Sequence, residues 1–216
     1  MGMRGTVKGL AQTGQESAGE SFRYYSSSSH DERRIIQASF FMGILSGVTW
    51  YVIALYWDAL GFTSEEIGLI GGIGSAVGIV SLLFAGFLAD TFGRKNLLLI
   101  GLFFGTVGAA LFLLEPNLVL FIVAEGLISL GSSMVQPSIV ALMADKAAPT
   151  RLKFFYGFQG FSSQIAITVA SATGIFFPGL FLDEFGLELT SGYWLVILAA
   201  VLCNILPIFY MLKVSE

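Results

Sequence analysis

The chain has 216 residues, 55% of them hydrophobic and 12% charged, with a mean hydropathy of +0.80 and a net charge of −4. A soluble domain carries about 25% charged residues, so half the usual solvating surface is missing, and soluble, disordered and nucleic-acid-binding readings are excluded; the pI near 5.0 also denies the basic face that nucleic-acid binding needs. One cysteine, Cys203, and one histidine, His30, leave no internal disulfide, no metal centre and no histidine-based catalysis in the apolar body.

Residues 1–34 form a polar stretch rich in Gly, Ser and charge, expected to be a disordered cytoplasmic tail. Met1-Gly2 with Thr6 fits an N-myristoylation pattern loosely. Residues 35–213 are expected to be the transmembrane domain, and 214–216 a short C-terminal tail.

A membrane-spanning helix needs about 20 apolar residues. Six runs meet or approach that length: Ile36 to Trp57, Ile67 to Ala89, Leu97 to Leu114, Leu118 to Met143, Phe154 to Leu182 and Tyr193 to Leu212. The third is short and the fifth long, so tilt or overhang is expected there. None alternates in polarity as barrel strands do. The expected fold is an all-α integral membrane protein with six transmembrane helices.

Of eleven Lys and Arg, five lie in the tail, two between spans two and three, three between spans four and five, and one after span six. The other three loops carry only acids, among them Asp58, Glu65, Glu66, Glu115 and Glu188. Positive-inside bias therefore puts both termini in the cytoplasm. Tyr56, Trp57, Tyr193 and Trp194 sit at outer ends, and Phe154, Tyr156 and Tyr210 at inner ends, as interfacial aromatic belts would.

The turn between spans two and three reads Gly86-Phe87-Leu88-Ala89-Asp90-Thr91-Phe92-Gly93-Arg94-Lys95-Asn96-Leu97-Leu98. Gly86 is expected to let two helices approach, and Gly93 to supply backbone freedom at a tight hairpin. Asp90 is placed to accept hydrogen bonds from Arg94 or to cap a neighbouring helix. Arg94 and Lys95 suit the anionic inner leaflet.

This segment resembles the G-x-L-A-D-R-x-G-R-K-x-x-L signature of the major facilitator superfamily, with Gly86, Leu88, Ala89, Asp90, Gly93, Arg94, Lys95 and Leu98 in place and Thr91 where an Arg is usual. Weaker agreement comes from Leu55-Tyr56 with Gly61-Phe62-Thr63 and Ile67-Gly68, and from Asp145, Pro149 and Arg151 after span four. The resemblance covers about residues 35 to 213, one six-helix half of a twelve-helix transporter. It implies one half of the major facilitator fold, transport of a small solute by alternating access, and a second six-helix half, from this or another chain, that Asp90 contacts. The alternative is a non-transporting remnant or one chain of a split transporter. Gly174-Ile175-Phe176-Phe177-Pro178-Gly179 lacks the Gly-Pro adjacency of span five in drug/proton antiporters, so drug antiport gains no support.

Glu125 lies about eight residues into span four, roughly 12 Å at helical rise. A carboxylate at that depth pairs, protonates or faces water, which makes Glu125 a candidate proton or cation site. Resemblance puts spans one and four at the central cavity. Ser129, Ser132, Ser133 and Gln136 extend the polar face of span four, with Thr49 and Trp50 expected opposite. Gln164, Thr168 and Ser171 share a face of span five that suits substrate contact or helix bridging. Asn204 is an isolated polar group on span six. Gly74 with Gly78, and Gly101 with Gly105, suit close helix packing, while Pro137 and Pro178 are expected to interrupt their helices as hinges.

Gly131-Ser132-Ser133 resembles the site of intramembrane serine peptidases, but no base is available to activate the serine. No phosphate-binding loop exists for an ATP-driven exporter. The expected protein is therefore a cofactor-free, non-enzymatic transporter in the plasma membrane, in contact with lipid and a small-molecule substrate.

Overall fold

The computed structural model describes residues 25–185 and 188–215, and every regular element among them is helical. Span one comprises α1 (His30–Tyr51) and α2 (Ile53–Ala59). Spans two to five are α3 (Ser64–Phe92), α4 (Arg94–Leu111), α5 (Leu118–Lys146) and α6 (Leu152–Phe185). Span six comprises α7 (Leu189–Cys203) and α8 (Ile205–Leu212). Four helices, α3 to α6, and the α7–α8 pair of span six are long and apolar enough to cross a bilayer, and span one makes a sixth when α1 and α2 count as one bent span. The expected all-α architecture is therefore present. The loose myristoylation pattern lies outside the described residues, as do residues 1–24 of the tail.

Helix α1 starts at His30, five residues before the apolar run at Ile35. Ser29 and Glu32 form a capping box: the Ser29 hydroxyl accepts from the Glu32 N–H at 3.2 Å, and the Glu32 carboxylate accepts from the Ser29 N–H at 2.9 Å. Thr63 and Glu66 start α3 in the same way. Asn117 caps α5 by accepting from the N–H groups of Val119 and Leu120.

The 42° bend between α1 and α2 at Val52 was not expected. No Pro or Gly sits at the break, but Ser46 and Thr49 donate their hydroxyls back to the Met42 and Leu45 carbonyls, at 3.1 and 3.0 Å. Thr49 lies within a turn of the break, where such back-bonding bends helices, and Ser46 lies on the preceding turn. Conversely, Pro137 and Pro178 do not interrupt anything: both lie inside continuous helices. Around Pro178 the chain makes room, since a Cβ on Gly192 of span six would come within 2.8 Å of the proline Cα.

The helices pack chiefly as α4 against α5, α1 against α6, and α3 against α5. Glycines set the closeness. A Cβ on Gly131 would lie 2.5 Å from the Gly101 carbonyl oxygen and 2.8 Å from the Gly105 N, so spans three and four touch backbone to backbone. Gly74 and Gly78 face span four as expected. Gly86 does not: it is exposed, and a Cβ there would meet nothing within 4 Å. The helix approach expected at Gly86 is absent because α3 turns that face away from the described bundle.

Two apolar cores result. One, at the Lys- and Arg-rich end, gathers Ile35, Leu98, Leu142, Phe155 and Met211. The other, at the opposite end, centres on Tyr56, Trp57, Phe112 and Phe121 with Tyr193. Trp57 and Phe112 pack edge to face at 5.6 Å, and Phe112 and Phe121 at 5.2 Å. Tyr56, Trp57 and Tyr193 are thus buried core residues rather than a lipid-facing belt. Only Trp194 keeps substantial exposure among those four, and its indole N–H donates to the Leu113 carbonyl at 3.0 Å.

Candidate functional site

Spans one, two and four line a cavity of about 620 Å³. The bend at Val52 turns Ile53, Ala54 and Trp57 toward it, below Thr49 and Trp50. Span two contributes small residues, Gly71, Ser75 and Gly78, so the wall on that side is thin. Span four contributes its polar stripe: Glu125, Ser129, Ser132 and Gln136 recur at helical spacing and all line the space. The cavity is open on one side, where Trp50 is 79% exposed.

Glu125 is the one ionisable residue on this wall. It is held against α3 by Gly74, where an added Cβ would collide with the Glu125 Cγ. Ser129, one turn on, faces Gly74 and Gly78. The Glu125 Oε2 is buried and has no hydrogen-bond partner. An ionised carboxylate left unpaired at membrane depth is costly, so this oxygen requires a proton, a cation or water in the cavity.

Trp57 adds a second unmet group. Its side chain is 3% exposed, and its Nε1 is buried without a partner while the ring lines the same cavity. Two residues lining this cavity thus carry an unpartnered polar atom, an acceptor on Glu125 and a donor on Trp57. Sequence reasoning missed Trp57 because its position at the end of an apolar run reads as an interfacial aromatic.

Of the candidates named from sequence, Trp50, Glu125 and Gln136 converge. Gln164 and Thr168 do not line the cavity; both are exposed on span five, and the Thr168 hydroxyl donates to the Gln164 carbonyl at 2.9 Å. Their shared face points away from spans two and four because α6 packs on α1 through Gly43 and Gly47. Asn204 is not isolated: its amide donates to the Thr106 hydroxyl on span three at 2.8 Å.

The hairpin after span two has a definite geometry. Gly93 adopts φ 81° and ψ 147°, a region open essentially to glycine, so α4 can start at once. Arg94 does not bond Asp90. It pairs with Asp145 at the end of span four, 2.5 Å away. Lys95 donates to the Val214 carbonyl at 2.7 Å and to the Leu212 carbonyl at 3.4 Å, capping the end of span six. Asp90 is exposed and has no hydrogen-bond or ion-pair partner among the described residues. The Asp90–Arg94 bond expected from sequence fails because Gly93 directs the arginine across to span four.

A family profile described as Major Facilitator Superfamily matches residues 35–216. The chain is similar to the uncharacterised MFS-type transporter MJ1560 of Methanocaldococcus jannaschii, with 30% identity over 70% of this chain and 39% of that protein. It is 26% identical to the uncharacterised MFS-type transporter YqjV of Bacillus subtilis, over 66% of this chain and 35% of the relative. It is also 29% identical to the quinolone resistance protein NorA of Staphylococcus aureus, over 49% of this chain and 26% of that protein. The chain thus matches well under half the length of these relatives. A crystal structure of the peptide transporter POT complexed with sulfate superposes with a TM-score of 0.61 and 16% identity, covering 85% of this chain and 36% of the other; this likeness is one of fold.

Proposed function

The chain belongs to the major facilitator superfamily, and on that premise we propose that it is a secondary active transporter whose cavity between spans one, two and four carries a small solute. The observation that carries this reading is the unpartnered Glu125 oxygen inside that cavity. A transport site must bind and release, and a carboxylate without a permanent partner is able to exchange a proton or a cation with whatever enters. No Lys or Arg lines the cavity, which disfavours a strongly anionic solute.

The working unit is a pair of six-helix bundles that rock about the shared cavity, both termini lying in the cytoplasm of a plasma-membrane protein. Three features support a second bundle, from a further copy, another chain or another segment. The cavity lacks a wall on one side. Spans two and five are barer than spans three, four and six, each with 11% of its most apolar stretch buried against 33% to 39%. Asp90 stands unpaired at the end of span two, where a partner helix would meet it. Gly86 and Gly93, with Arg94 and Lys95, would then transmit the movement of span two to spans four and six. Gln164 and Thr168, on the bare face of span five, would meet solute or the second bundle.

The test is uptake of a solute panel into proteoliposomes under an imposed pH gradient. We expect Glu125→Gln to abolish the gradient dependence while the protein remains folded. An identical pH profile in the variant would remove Glu125 as the coupling site.

A further inference from the structure

A second recess, about 480 Å³, lies at the Lys- and Arg-rich end between the first turns of span one and the last turns of span six. The span-one wall is His30, Arg33, Arg34 and Gln37, which recur at i, i+3, i+4 and i+7 and so form one helical stripe. The span-six wall repeats that spacing with Leu206, Phe209, Tyr210 and Lys213. The two helices run in opposite directions here. The charged groups of both stripes therefore gather at the bundle end, while Gln37, Leu206 and Phe209 form the deeper part.

Two cations in this recess, Arg33 and Lys213, differ from others at the same end. Arg94 is matched by Asp145, Lys95 by carbonyls of span six, and Lys146 by Asp31 and the Ser215 hydroxyl. No carboxylate lines the recess. Arg34 is matched like the cations outside the recess, by Asp31 at 3.3 Å and by the Lys213 carbonyl. Arg33 donates through Nη2 to the Ser26 carbonyl at 2.6 Å, yet its Nε is buried and has no hydrogen-bond partner. The Lys213 ammonium has no ion-pair or hydrogen-bond partner among the described residues. Positive charge is concentrated here beyond what the protein itself neutralises.

Phe209 is 57% exposed and Leu206 is also exposed, so the deeper wall faces the hydrocarbon of a bilayer. Charge at the membrane surface above an apolar wall at depth is the profile of a phospholipid. We propose that this recess binds an anionic phospholipid, with the headgroup phosphate among Arg33, Arg34 and Lys213 and the upper acyl chain against Leu206 and Phe209. A soluble phosphate would satisfy the cations but would gain nothing from the apolar wall, which is why the lipid is favoured. The bound lipid would tie the two ends of the bundle sequence, span one and span six, to the membrane surface. This site is independent of the transport cavity, which lies on the opposite flank of span one and shares no lining residue with it.

The experiment is native mass spectrometry of the full chain released from nanodiscs of phosphatidylcholine containing a minority of phosphatidylglycerol, with folding checked by circular dichroism. One phosphatidylglycerol is expected to be retained in preference to phosphatidylcholine. The double variant Arg33→Gln, Lys213→Gln should weaken that retention roughly 30-fold, at about fivefold per surface cation; if the pair does not fold, Lys213→Gln alone should give about fivefold. Lys153→Gln, a cation outside the recess, should leave retention unchanged, and Phe209→Ser should weaken it with all cations in place. Equal retention of the two lipids, or retention unaffected by loss of Arg33 and Lys213, would overturn the proposal. Displacement of the lipid by inorganic phosphate, with Phe209→Ser neutral, would also overturn it by showing a simple anion site.

Discussion

Arg94, the first residue of α4, is joined to Asp145 near the end of α5, fifty-one positions along the chain and 2.5 Å away. The pair spans the hairpin signature and the acidic residue after span four, two segments that the sequence presents as separate motifs. Structurally they are one latch, and its formation is what leaves Asp90 free.

Both partners of the latch are about half exposed, so its energy should be that of a surface pair, about 0.2 to 1 kcal/mol. A double-mutant cycle with Arg94→Ala and Asp145→Ala, read by denaturant unfolding in detergent, should return a coupling in that range. The reversed pair, Asp at 94 with Arg at 145, should recover most of it. Zero coupling would mean that the latch adds nothing to the stability of the folded bundle.

Asp90 behaves differently under the same reasoning. Since it bonds nothing among the described residues, Asp90→Asn should leave the thermal stability of the isolated bundle within about 0.5 kcal/mol of the parent, as for other surface changes. It should nevertheless reduce association with the second bundle, measured as particle mass in nanodiscs, and reduce uptake in parallel. A destabilised bundle with unchanged mass would place the role of Asp90 inside this chain.

Gly74 and Gly78 provide an internal comparison on one helix. A methyl at 74 collides with the Glu125 Cγ, whereas a methyl at 78 would meet the Ser129 Cβ at an ordinary 3.4 Å. Gly74→Ala is therefore expected to cost about 1 to 3 kcal/mol through overpacking and to displace Glu125. Gly78→Ala should be neutral to stabilising by up to about 1 kcal/mol, because helix propensity favours alanine by that amount. Thermal unfolding of the two variants side by side checks this; equal effects would mean that spans two and four are less closely packed at Glu125.

The sequence made the six apolar runs plain because bilayer crossing imposes both length and composition, and each run is helical apart from the last residues of the third, with runs one and six each broken once, at Val52 and Asn204. The short third run corresponds to the 18-residue α4. Glu125, Gln136 and Trp50 could be brought together on paper because depth along a helix follows from counting residues. Which neighbour a face meets does not. The stripe of Gln164 and Thr168 has the same periodicity as that of span four, yet it looks away from the cavity, since Gly43 and Gly47 dock span five on span one from another side. Tyr56, Trp57 and Tyr193 show the same limit: an aromatic near a span end satisfies the composition of a belt and of a core equally. The bend at Val52 came from hydroxyl back-bonding at Ser46 and Thr49, a signal present in the sequence but shared with many straight helices. The capping box of Ser29 and Glu32 was also legible, but it was hidden in a stretch whose composition suggested disorder.

If the two bundles rock as proposed, the space beside Glu125 is an aqueous path reached alternately from both sides of the membrane. The most direct measurement is labelling of a cysteine placed at Ser132, on the cavity wall, in a Cys203→Ser background. Reconstituted protein would be treated with a membrane-impermeant maleimide from each face in turn. The account predicts modification from both faces, while a cysteine at Phe103, exposed on span three, stays unreactive. A Ser132 cysteine that is unreactive from both faces, or open to one face under every imposed gradient, would contradict it.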